Sequence, residues 1–216
     1  MSGIAGIISH KENIDTVSIL KSMLSTIKHR GPDYREIFIS SNWAIGITKS
    51  ISGINKVESS IATNNDETIT ILLSGEIYNS SELLRYSDAL VTKSIPEQLL
   101  NLYQKYGVSF LELLNGQFVL CICDSTKNEI LLARDKVGIS PIYYSSINDS
   151  FVFASEMKSI FECPGFSAKI SPTALKQCAT FWSILAPNTI FENVFELPGG
   201  HYIILKESSP SVVKYW

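Results

Sequence analysis

The stretch Met1-Ser2-Gly3-Ile4-Ala5-Gly6-Ile7 decides the prediction of the fold. The short apolar run that begins in this stretch, Ile4 to Ile8, predicts a β-strand that starts almost directly after Ser2. Ser2 itself is a small polar residue at the start of that strand.

An amphipathic helix is predicted over residues 14–28, directly after this strand. Asp15 or Asn13 would cap its N-terminus, because a side-chain oxygen there accepts a hydrogen bond from a free backbone N–H. The helix should end at His29-Arg30-Gly31-Pro32, where glycine and proline interrupt the backbone pattern. Its apolar positions recur at helical spacing, namely Val17, Leu20, Leu24 and Ile27.

Further runs predict a mixture of antiparallel strands and short helices. Polar turn residues separate two predicted hairpins, one around 124–128 and one around Asn148-Asp149. Residues 58–68, the most polar stretch, are predicted as a surface loop. Strands are expected at 36–40, 43–48, 69–73, 118–123, 130–133, 143–144, 151–154 and 202–205, and helices at 82–86, 97–106, 155–161 and 172–179. Runs of strands followed by helices predict an α+β domain with antiparallel sheets.

Composition excludes several classes of function. The chain has 216 residues, is 45% hydrophobic and carries 18 basic against 21 acidic residues, for a formal net charge of −3. That balance gives no basic footprint for nucleic acid or an anionic membrane. Since neither an apolar run long enough to span a membrane nor a secretory signal is seen, we expect a cytoplasmic protein.

The four cysteines predict no metal site and no disulfide. Cys121 and Cys123 stand two apart and would share one face of a strand, about 7 Å from each other, which is poor geometry for a disulfide. The histidines His10, His29 and His201 are scattered along the chain. Buried, reduced thiols are therefore expected.

Several motifs, in this order and spacing, together resemble the glutaminase domain of asparagine-synthetase-like amidotransferases, which is a class II glutamine amidotransferase. The resemblance covers the whole chain and implies one domain over residues 1–216. It also implies the N-terminal-nucleophile hydrolase fold, a four-layer αββα sandwich of two antiparallel sheets. The motifs are Ser2-Gly3-Ile4, His29-Arg30-Gly31-Pro32-Asp33, Gly75-Glu76-Ile77-Tyr78-Asn79, Ala133-Arg134-Asp135, Phe153-Ala154-Ser155-Glu156-Met157-Lys158 and Leu197-Pro198-Gly199-Gly200-His201.

The family mechanism that this resemblance implies assigns the reaction to residue 2. Removal of Met1 exposes an α-amino group with a pKa of about 7.7–8.0, which acts as general base for a cysteine thiol that attacks glutamine. Here Ser2 replaces the cysteine. The family's oxyanion stretch begins Asn-Gly, whereas this chain has Ser74-Gly75, so one side-chain donor is shortened.

The glutamine clamp that the resemblance implies is altered as well. The family's aspartate for the substrate ammonium corresponds to Ile95, which offers no charge. Its arginine for the carboxylate corresponds to Lys49, which keeps the charge but loses the bidentate fork. Glu76 is the further glutamine-pocket position. The chain thus departs from the family at four positions of the pocket: Ser2, Ser74, Ile95 and Lys49. A single engineered exchange of the nucleophile would leave the other three unchanged, so a natural domain that has lost glutaminase activity is favoured.

The retained motifs are interpreted as scaffold. Arg30 and Asp33 flank a Gly-Pro turn and are expected to form a structural ion pair. Arg134-Asp135 is expected to be structural, and His201 is expected to be a satisfied histidine without a ligand role.

Three functional hypotheses stay open at this stage. The first is a non-catalytic module that docks on an ATP-dependent synthetase-like partner, since the synthetase half's Ser-Gly-Gly-x-Asp-Ser loop is absent here. The second is a serine-dependent amidohydrolase with another substrate, and the third is an impaired or engineered glutaminase that supplies ammonia for asparagine synthesis. No cofactor and no metal are expected, and glutamine would bind only if the pocket still functions.

Overall fold

The computed structural model describes residues 2–9, 14–51, 58–86, 94–206 and 209–216. The strands are β1 (Ser2–Ser9), β2 (Tyr34–Ile39), β3 (Trp43–Lys49), β4 (Ile61–Thr63), β5 (Ile69–Ile77), β6 (Gly116–Asp124), β7 (Glu129–Arg134), β8 (Tyr143–Ile147), β9 (Ser150–Ala154), β10 (Phe195–Glu196), β11 (His201–Lys206) and β12 (Ser209–Lys214). The helices are α1 (Thr16–Thr26), α2 (Ser80–Leu83), α3 (Ile95–Tyr106), α4 (Met157–Ile160) and α5 (Pro172–Phe181). The chain forms two compact units, Met1–Ser50 with Pro141–Pro198 and Ile51–Ser140 with Gly199–Trp216.

The first unit contains a six-stranded antiparallel sheet in the order β10-β8-β9-β1-β3-β2. Strand β1 is central, and every residue from Gly3 to Ser9 is buried. Helix α1 packs its apolar side on this sheet, because Leu20, Leu24 and Ile27 are fully buried there as their spacing predicted. Asp15 caps the helix by accepting a hydrogen bond from the Ser18 amide at 3.0 Å, which confirms one of the two predicted caps. Asn13, the other predicted cap, lies outside the described residues.

The second unit contains another six-stranded antiparallel sheet, in the order β12-β11-β7-β6-β5-β4. Its core joins β5, β6 and β7 to helix α3 and to a 3-10 segment at Gly107–Leu113. Ser94 caps α3 by accepting from the Glu97 amide at 3.3 Å. Two antiparallel sheets with helices confirm the predicted α+β class.

Both predicted hairpins are present. The β8–β9 turn has Asn148 at φ 47° and Asp149 at φ 64°, the pair of positive values that a type I′ turn requires. The β6–β7 hairpin closes with Asp124 opposite Glu129.

Edge strands are the main elements that were not predicted from the sequence. The predicted loop 58–68 contains β4, so that prediction is wrong for Ile61–Thr63. Strands β10 and β12 were not predicted, and the helix expected over 155–161 is confined to α4. No helix among the described residues is both long and apolar enough to cross a membrane.

All four cysteines are free thiols, as expected. Cys121, Cys123 and Cys163 are buried. Cys178 is exposed on helix α5, so the prediction that the thiols are buried is wrong for this residue.

Candidate functional site

Ser2 is the first residue of β1 and is half-buried. It lies directly opposite Lys49, the last residue of β3. Side chains of directly opposed residues stand on the same face of a sheet, so the hydroxyl of Ser2 and the ammonium of Lys49 share one side. The structure therefore brings together these two predicted site residues. The predicted removal of Met1 concerns a residue outside the described part of the chain.

Arg30 holds the main chain of Ser2 from the loop after helix α1. Its Nε donates to the Ser2 carbonyl oxygen at 3.0 Å, and its Nη1 lies 3.3 Å from Oε1 of Glu156. The guanidinium therefore links the start of β1 to the segment that follows β9. The predicted ion pair between Arg30 and Asp33 is wrong, because the ionic partner of Arg30 is Glu156. Asp33 accepts instead a hydrogen bond from the Ser50 hydroxyl at 3.2 Å.

Glu156 is the centre of a cluster of basic side chains. His29 Nε2 lies 2.7 Å from Oε1, and Lys158 Nζ lies 3.1 Å from Oε2. Burial by itself would raise the pKa of Glu156, but hydrogen bonds from Lys158, His29 and Arg30 bring it below its usual value. The carboxylate is thus kept ionised, and it orients the arginine that holds Ser2.

A cavity of about 430 Å³ opens beside this cluster in the first unit. Charged groups and aromatic rings share its wall: Arg30, Glu156, Lys158, Tyr143, Phe161 and Phe191. Such a lining suits a ligand with both polar and apolar parts better than a purely apolar ligand.

Ser155 and Thr48 fix β1 on its two sides. The amide of Ile4 donates to Ser155 Oγ at 2.9 Å, just beyond the last β1–β9 pair. Thr48 Oγ1, which is buried, lies 3.4 Å from the Gly3 carbonyl oxygen. The start of β1 is therefore held in place by side chains as well as by the sheet.

Gly31 is required by close packing. A Cβ atom there would lie 2.3 Å from the backbone nitrogen of Lys49 and 2.4 Å from the carbonyl carbon of Thr48. Because backbone cannot move aside as a flexible side chain can, only glycine lets this loop approach the end of β3. The Gly31-Pro32 turn can therefore pack directly against the end of β3, where Lys49 lies opposite Ser2.

The other predicted site residues belong to the second unit. Ser74 is buried on β5, and Gly75 and Glu76 are exposed beside it. Gly75 has φ 114°, and a Cβ atom there would lie 2.1 Å from the Gln117 carbonyl oxygen. The backbone of Ser74-Gly75-Glu76 therefore depends on glycine at position 75. Asn79, which ends the same motif, accepts from the Asn115 amide at 3.0 Å and donates to the Leu113 carbonyl at 2.9 Å.

Ile95 is the first residue of helix α3 and is half-buried. Its side chain packs against the hydrophobic core of the second unit. The position predicted to hold a substrate ammonium therefore contributes to packing. Thr92 and Lys93, which precede it in the compared motif, lie outside the described residues.

Arg134 and Asp135 are structural, as predicted. Arg134 donates to the carbonyl oxygens of Ser140 and Gly138, each at 2.7 Å. The fully buried Asp135 accepts from the amides of Ile139 and Ser140, each at 2.9 Å. His201 is satisfied too, with Nδ1 2.7 Å from the Gly199 carbonyl oxygen.

The partners of Arg30 were not predicted from the sequence. Glu156 and Lys158 stood in a recognised motif but were given no role, and Thr48 was not singled out. A signal was nevertheless present, because Ser155, Glu156 and Lys158 follow a predicted buried strand. Polar residues in loops after such strands often belong to binding or catalytic sites.

The residues that the structure describes offer this site no metal-binding cluster, and two of the buried thiols are unreactive. They contain no group of three or more His, Cys, Asp or Glu side chains that could hold a metal ion. Burial raises the pKa of Cys163 to about 11 and that of Cys123 well above its usual value, so both stay protonated at neutral pH.

Comparisons with known proteins agree with these motifs. The family model of the glutamine amidotransferase domain matches residues 1–216. An asparagine synthetase (glutamine-hydrolysing) of Bacillus subtilis is 31% identical over 100% of this chain and 30% of its own length. An amidase of Gibberella zeae is 31% identical over 88% of this chain and 29% of its own length.

Solved structures show the same fold. Glutamine phosphoribosylpyrophosphate amidotransferase from B. subtilis, complexed with ADP and GMP, has a TM-score of 0.70 at 17% identity, covering 99% of this chain and 49% of that one. The chain spans less than half of the length of these three proteins. It belongs to the class II glutamine amidotransferase domain family, as the domain found in glutamine-hydrolysing asparagine synthetases.

Proposed function

We propose that this chain is a glutamine amidotransferase domain without glutaminase activity, which serves an ATP-dependent synthetase-like protein as a structural or interaction module. The observation that carries the proposal is the hydroxyl of Ser2, held at the nucleophile position where the family uses a thiol. We treat residues 1–216 as one such domain.

Chemistry at residue 2 supports the loss of activity. A thiol with a pKa of about 8.5 is a few per cent thiolate at neutral pH, whereas a hydroxyl needs a strong base to attack an amide. Cys121, Cys123 and Cys163 are buried and Cys178 lies on helix α5. None of these thiols lies on β1, where the reaction of the family takes place.

The substrate clamp supports the same proposal. Ile95 carries no charge at the position where the family places an aspartate for the glutamine ammonium, and its side chain packs on an apolar core. Lys49 offers a single point charge in place of the bidentate fork of arginine. Weak substrate binding and a weak nucleophile together predict turnover far below that of the cysteine enzymes.

The preserved framework supports a role in interaction. Arg30, Gly31, Ser155 and Glu156 hold the start of β1 although its reactive group has changed. The Bacillus relative extends over more than three times the matched length, with this chain covering 30% of it. A synthetase-like partner in amide formation, such as asparagine synthesis, would account for a retained scaffold beside an altered pocket.

Stepwise restoration tests the loss of activity. Intact mass first establishes whether Met1 is removed, and ammonia release from glutamine is then measured for the natural chain, Ser2→Ala, Ser2→Cys and the combined Ser2→Cys/Lys49→Arg/Ser74→Asn/Ile95→Asp. We expect the first three to release no ammonia above background and the combined variant to gain activity. Chemical denaturation checks that the combined variant folds, because aspartate at position 95 suits a helix N-terminus but replaces a side chain that packs on the core. Ammonia release by the natural chain, or by Ser2→Cys alone, would overturn the proposal.

The interaction role has its own test. Amide formation by the synthetase-like protein from free ammonia should fall when this chain is omitted and should be unaffected by Ser2→Ala. Equal rates with and without the chain would show that it contributes nothing to that partner.

A serine-dependent amidohydrolase is the second candidate. Ile95 favours it, because an apolar side chain would suit an acyl group better than an ammonium, and one relative with 31% identity is named an amidase. Hydrolysis of simple amides with apolar acyl groups by the natural chain, lost in Ser2→Ala, would favour this candidate over the first.

A further inference from the structure

A cavity of about 480 Å³ lies towards the end of β1 that is remote from Ser2. Its wall is largely apolar, with Ile19 on helix α1, Ile7 on β1 and Ile147 on β8 among the residues that line it. Ligand sites in proteins are commonly of this kind, with about 300–1,000 Å³ of space and a mostly apolar wall. Ile7 lies about 17 Å beyond Ser2 along the extended strand, so this cavity is separate from the site around Ser2.

A smaller, polar cavity of about 230 Å³ adjoins the apolar one. Ile147, Asn148 and Gly165 line both, so the two cavities share a wall. All residues that line them belong to the first unit. An apolar and a polar compartment therefore lie side by side. The rest of the polar wall carries hydroxyl, amide and charged side chains, namely Ser145, Ser146, Ser167, Asn193, Lys169 and Glu192.

Asn148 is the movable part of the shared wall. Gly165 has φ 89°, and a Cβ atom there would clash with Nδ2 of Asn148, so the amide group of Asn148 packs directly on the backbone of Gly165. Asn148 is exposed, and exposed side chains change rotamer within nanoseconds. Rotation of this one side chain away from Gly165 opens a path between the two cavities.

Lys169 and Glu192 give the polar cavity one charge of each sign. They lie opposite each other beside the Ile170–Phe191 bridge, with the Glu192 amide donating to the Lys169 carbonyl at 2.8 Å. Side chains of residues opposed in this way stand on the same face. Neither takes part in the ion pairs found among the described residues. The cavity therefore offers an ammonium to a carboxylate and a carboxylate to an ammonium.

We propose that the two cavities together bind a free α-amino acid with a large apolar side chain. The apolar side chain fills the larger cavity, the α-carboxylate faces Lys169 and the α-ammonium faces Glu192. A site with one charge of each sign complements a zwitterion, whereas an anion or a cation would leave a like charge beside it. Such a site is independent of the proposed function, because it involves neither Ser2 nor a partner protein.

Isothermal titration calorimetry of the full chain with L-phenylalanine is the first test, and saturable binding is expected. Three analogues each lack one feature of the ligand: hydrocinnamate has no ammonium, phenethylamine has no carboxylate and glycine has no apolar group. Each should bind at least about tenfold more weakly than L-phenylalanine, because a charge-assisted hydrogen bond or the apolar contact is lost.

Ser18→Phe tests the apolar cavity. Ser18 is exposed on helix α1 and lines this cavity, so a phenylalanine side chain there would occupy its mouth. The Ser18 amide can still donate to Asp15, which preserves the helix cap. We expect the dissociation constant for L-phenylalanine to rise at least about tenfold. Ser25→Phe, at an exposed serine two turns further along α1 and outside both cavities, is the matched control and should leave binding unchanged.

Lys169→Gln and Glu192→Gln test the polar cavity, and they serve if Ser18→Phe does not fold. Both residues are exposed and keep their backbone hydrogen bond in the variants. Each change should raise the dissociation constant for L-phenylalanine about threefold to tenfold. Lys169→Gln should leave the weaker binding of phenethylamine unchanged, since that ligand has no carboxylate. Lys176→Gln and Glu162→Gln, at exposed residues outside both cavities, are the matched controls.

Three results would overturn the inference. The first is the absence of saturable L-phenylalanine binding at millimolar concentrations. The second is binding that Ser18→Phe, Lys169→Gln and Glu192→Gln affect no more than their controls, which would place the ligand elsewhere. The third is equally tight binding of hydrocinnamate or phenethylamine, which would show that the site does not recognise a zwitterion. None of these results depends on glutaminase activity.

Discussion

Ser155 and Ile4 are joined by two reciprocal hydrogen bonds of 2.9 Å. The Ser155 amide donates to the Ile4 carbonyl, and the Ile4 amide donates to Ser155 Oγ. The second bond satisfies a buried backbone group beyond the last β1–β9 pair, two residues from Ser2. The serine hydroxyl thus takes the place of a carbonyl in the sheet, and it links the Ser155-Glu156 motif to the strand that begins at Ser2.

Ser155→Ala should lower the free energy of unfolding by about 1–3 kcal/mol. The buried amide of Ile4 would lose its acceptor and keep its desolvation cost. Chemical denaturation measures the change, and Ser146→Ala, at an exposed serine on β8, is the matched control that should change little. An effect no larger than that of the control would show that the hydroxyl does not support β1.

Glu156→Gln should lower stability at neutral pH and remove part of the acid sensitivity of the natural chain. The pKa of Glu156 in the folded state lies below its ordinary value of 4.5, so the ionised carboxylate stabilises the fold above that pH. This contribution is lost as pH falls through the folded-state pKa. The difference in free energy of unfolding between the two proteins should therefore narrow below about pH 4.5.

Urea denaturation over a series of pH values checks this expectation. Glu162→Gln, at an exposed carboxylate near α4, controls for the loss of one negative charge. A difference that is constant with pH would mean that the ion pairs of Glu156 do not contribute to stability.

Gly75→Ala should destabilise the fold by about 2–4 kcal/mol, because strain at positive φ adds to a clash with backbone. Gly107→Ala separates the two causes. Gly107 also has positive φ, at 58°, but a Cβ atom there meets nothing within 4 Å. That variant should cost about 1–3 kcal/mol, because the φ of 58° and ψ of −146° at Gly107 lie in a region that is essentially restricted to glycine. Equal losses for the two variants in thermal or chemical denaturation would contradict the clash with Gln117.

Asp135→Asn should destabilise the loop after β7 by about 1–3 kcal/mol. Its carboxylate accepts from two amides, those of Ile139 and Ser140, whereas asparagine has a single acceptor oxygen. Faster hydrogen exchange at one of these amides would accompany the loss of stability. Asp66→Asn, at an exposed aspartate, should alter neither quantity.

Local features of the fold were predictable because their causes are local. The Asn148-Asp149 hairpin follows from two residues that tolerate positive φ, and the cap at Asp15 follows from a side chain that reaches an amide three residues ahead. Edge strands β4 and β12 were missed, because their pairing depends on the neighbouring strands β5 and β11 more than on their own pattern.

The candidate site was predictable only in part. The motifs identified Ser2, Lys49, Ser74, Gly75, Glu76 and Ile95, and the structure assigns the first two to one unit and the other four to the second. The partner of Arg30 was predicted wrongly, since Glu156 lies far away in the sequence and Asp33 lies near.

By itself, the sequence determined the family, the α+β class and the chemical identity of each altered group, because motif order and residue type are properties of the chain alone. The tertiary structure decided that Glu156 orients Arg30 against Ser2 and that Ile95 packs on a core. Those facts depend on which distant segments meet, and neither local periodicity nor spacing encodes such contacts.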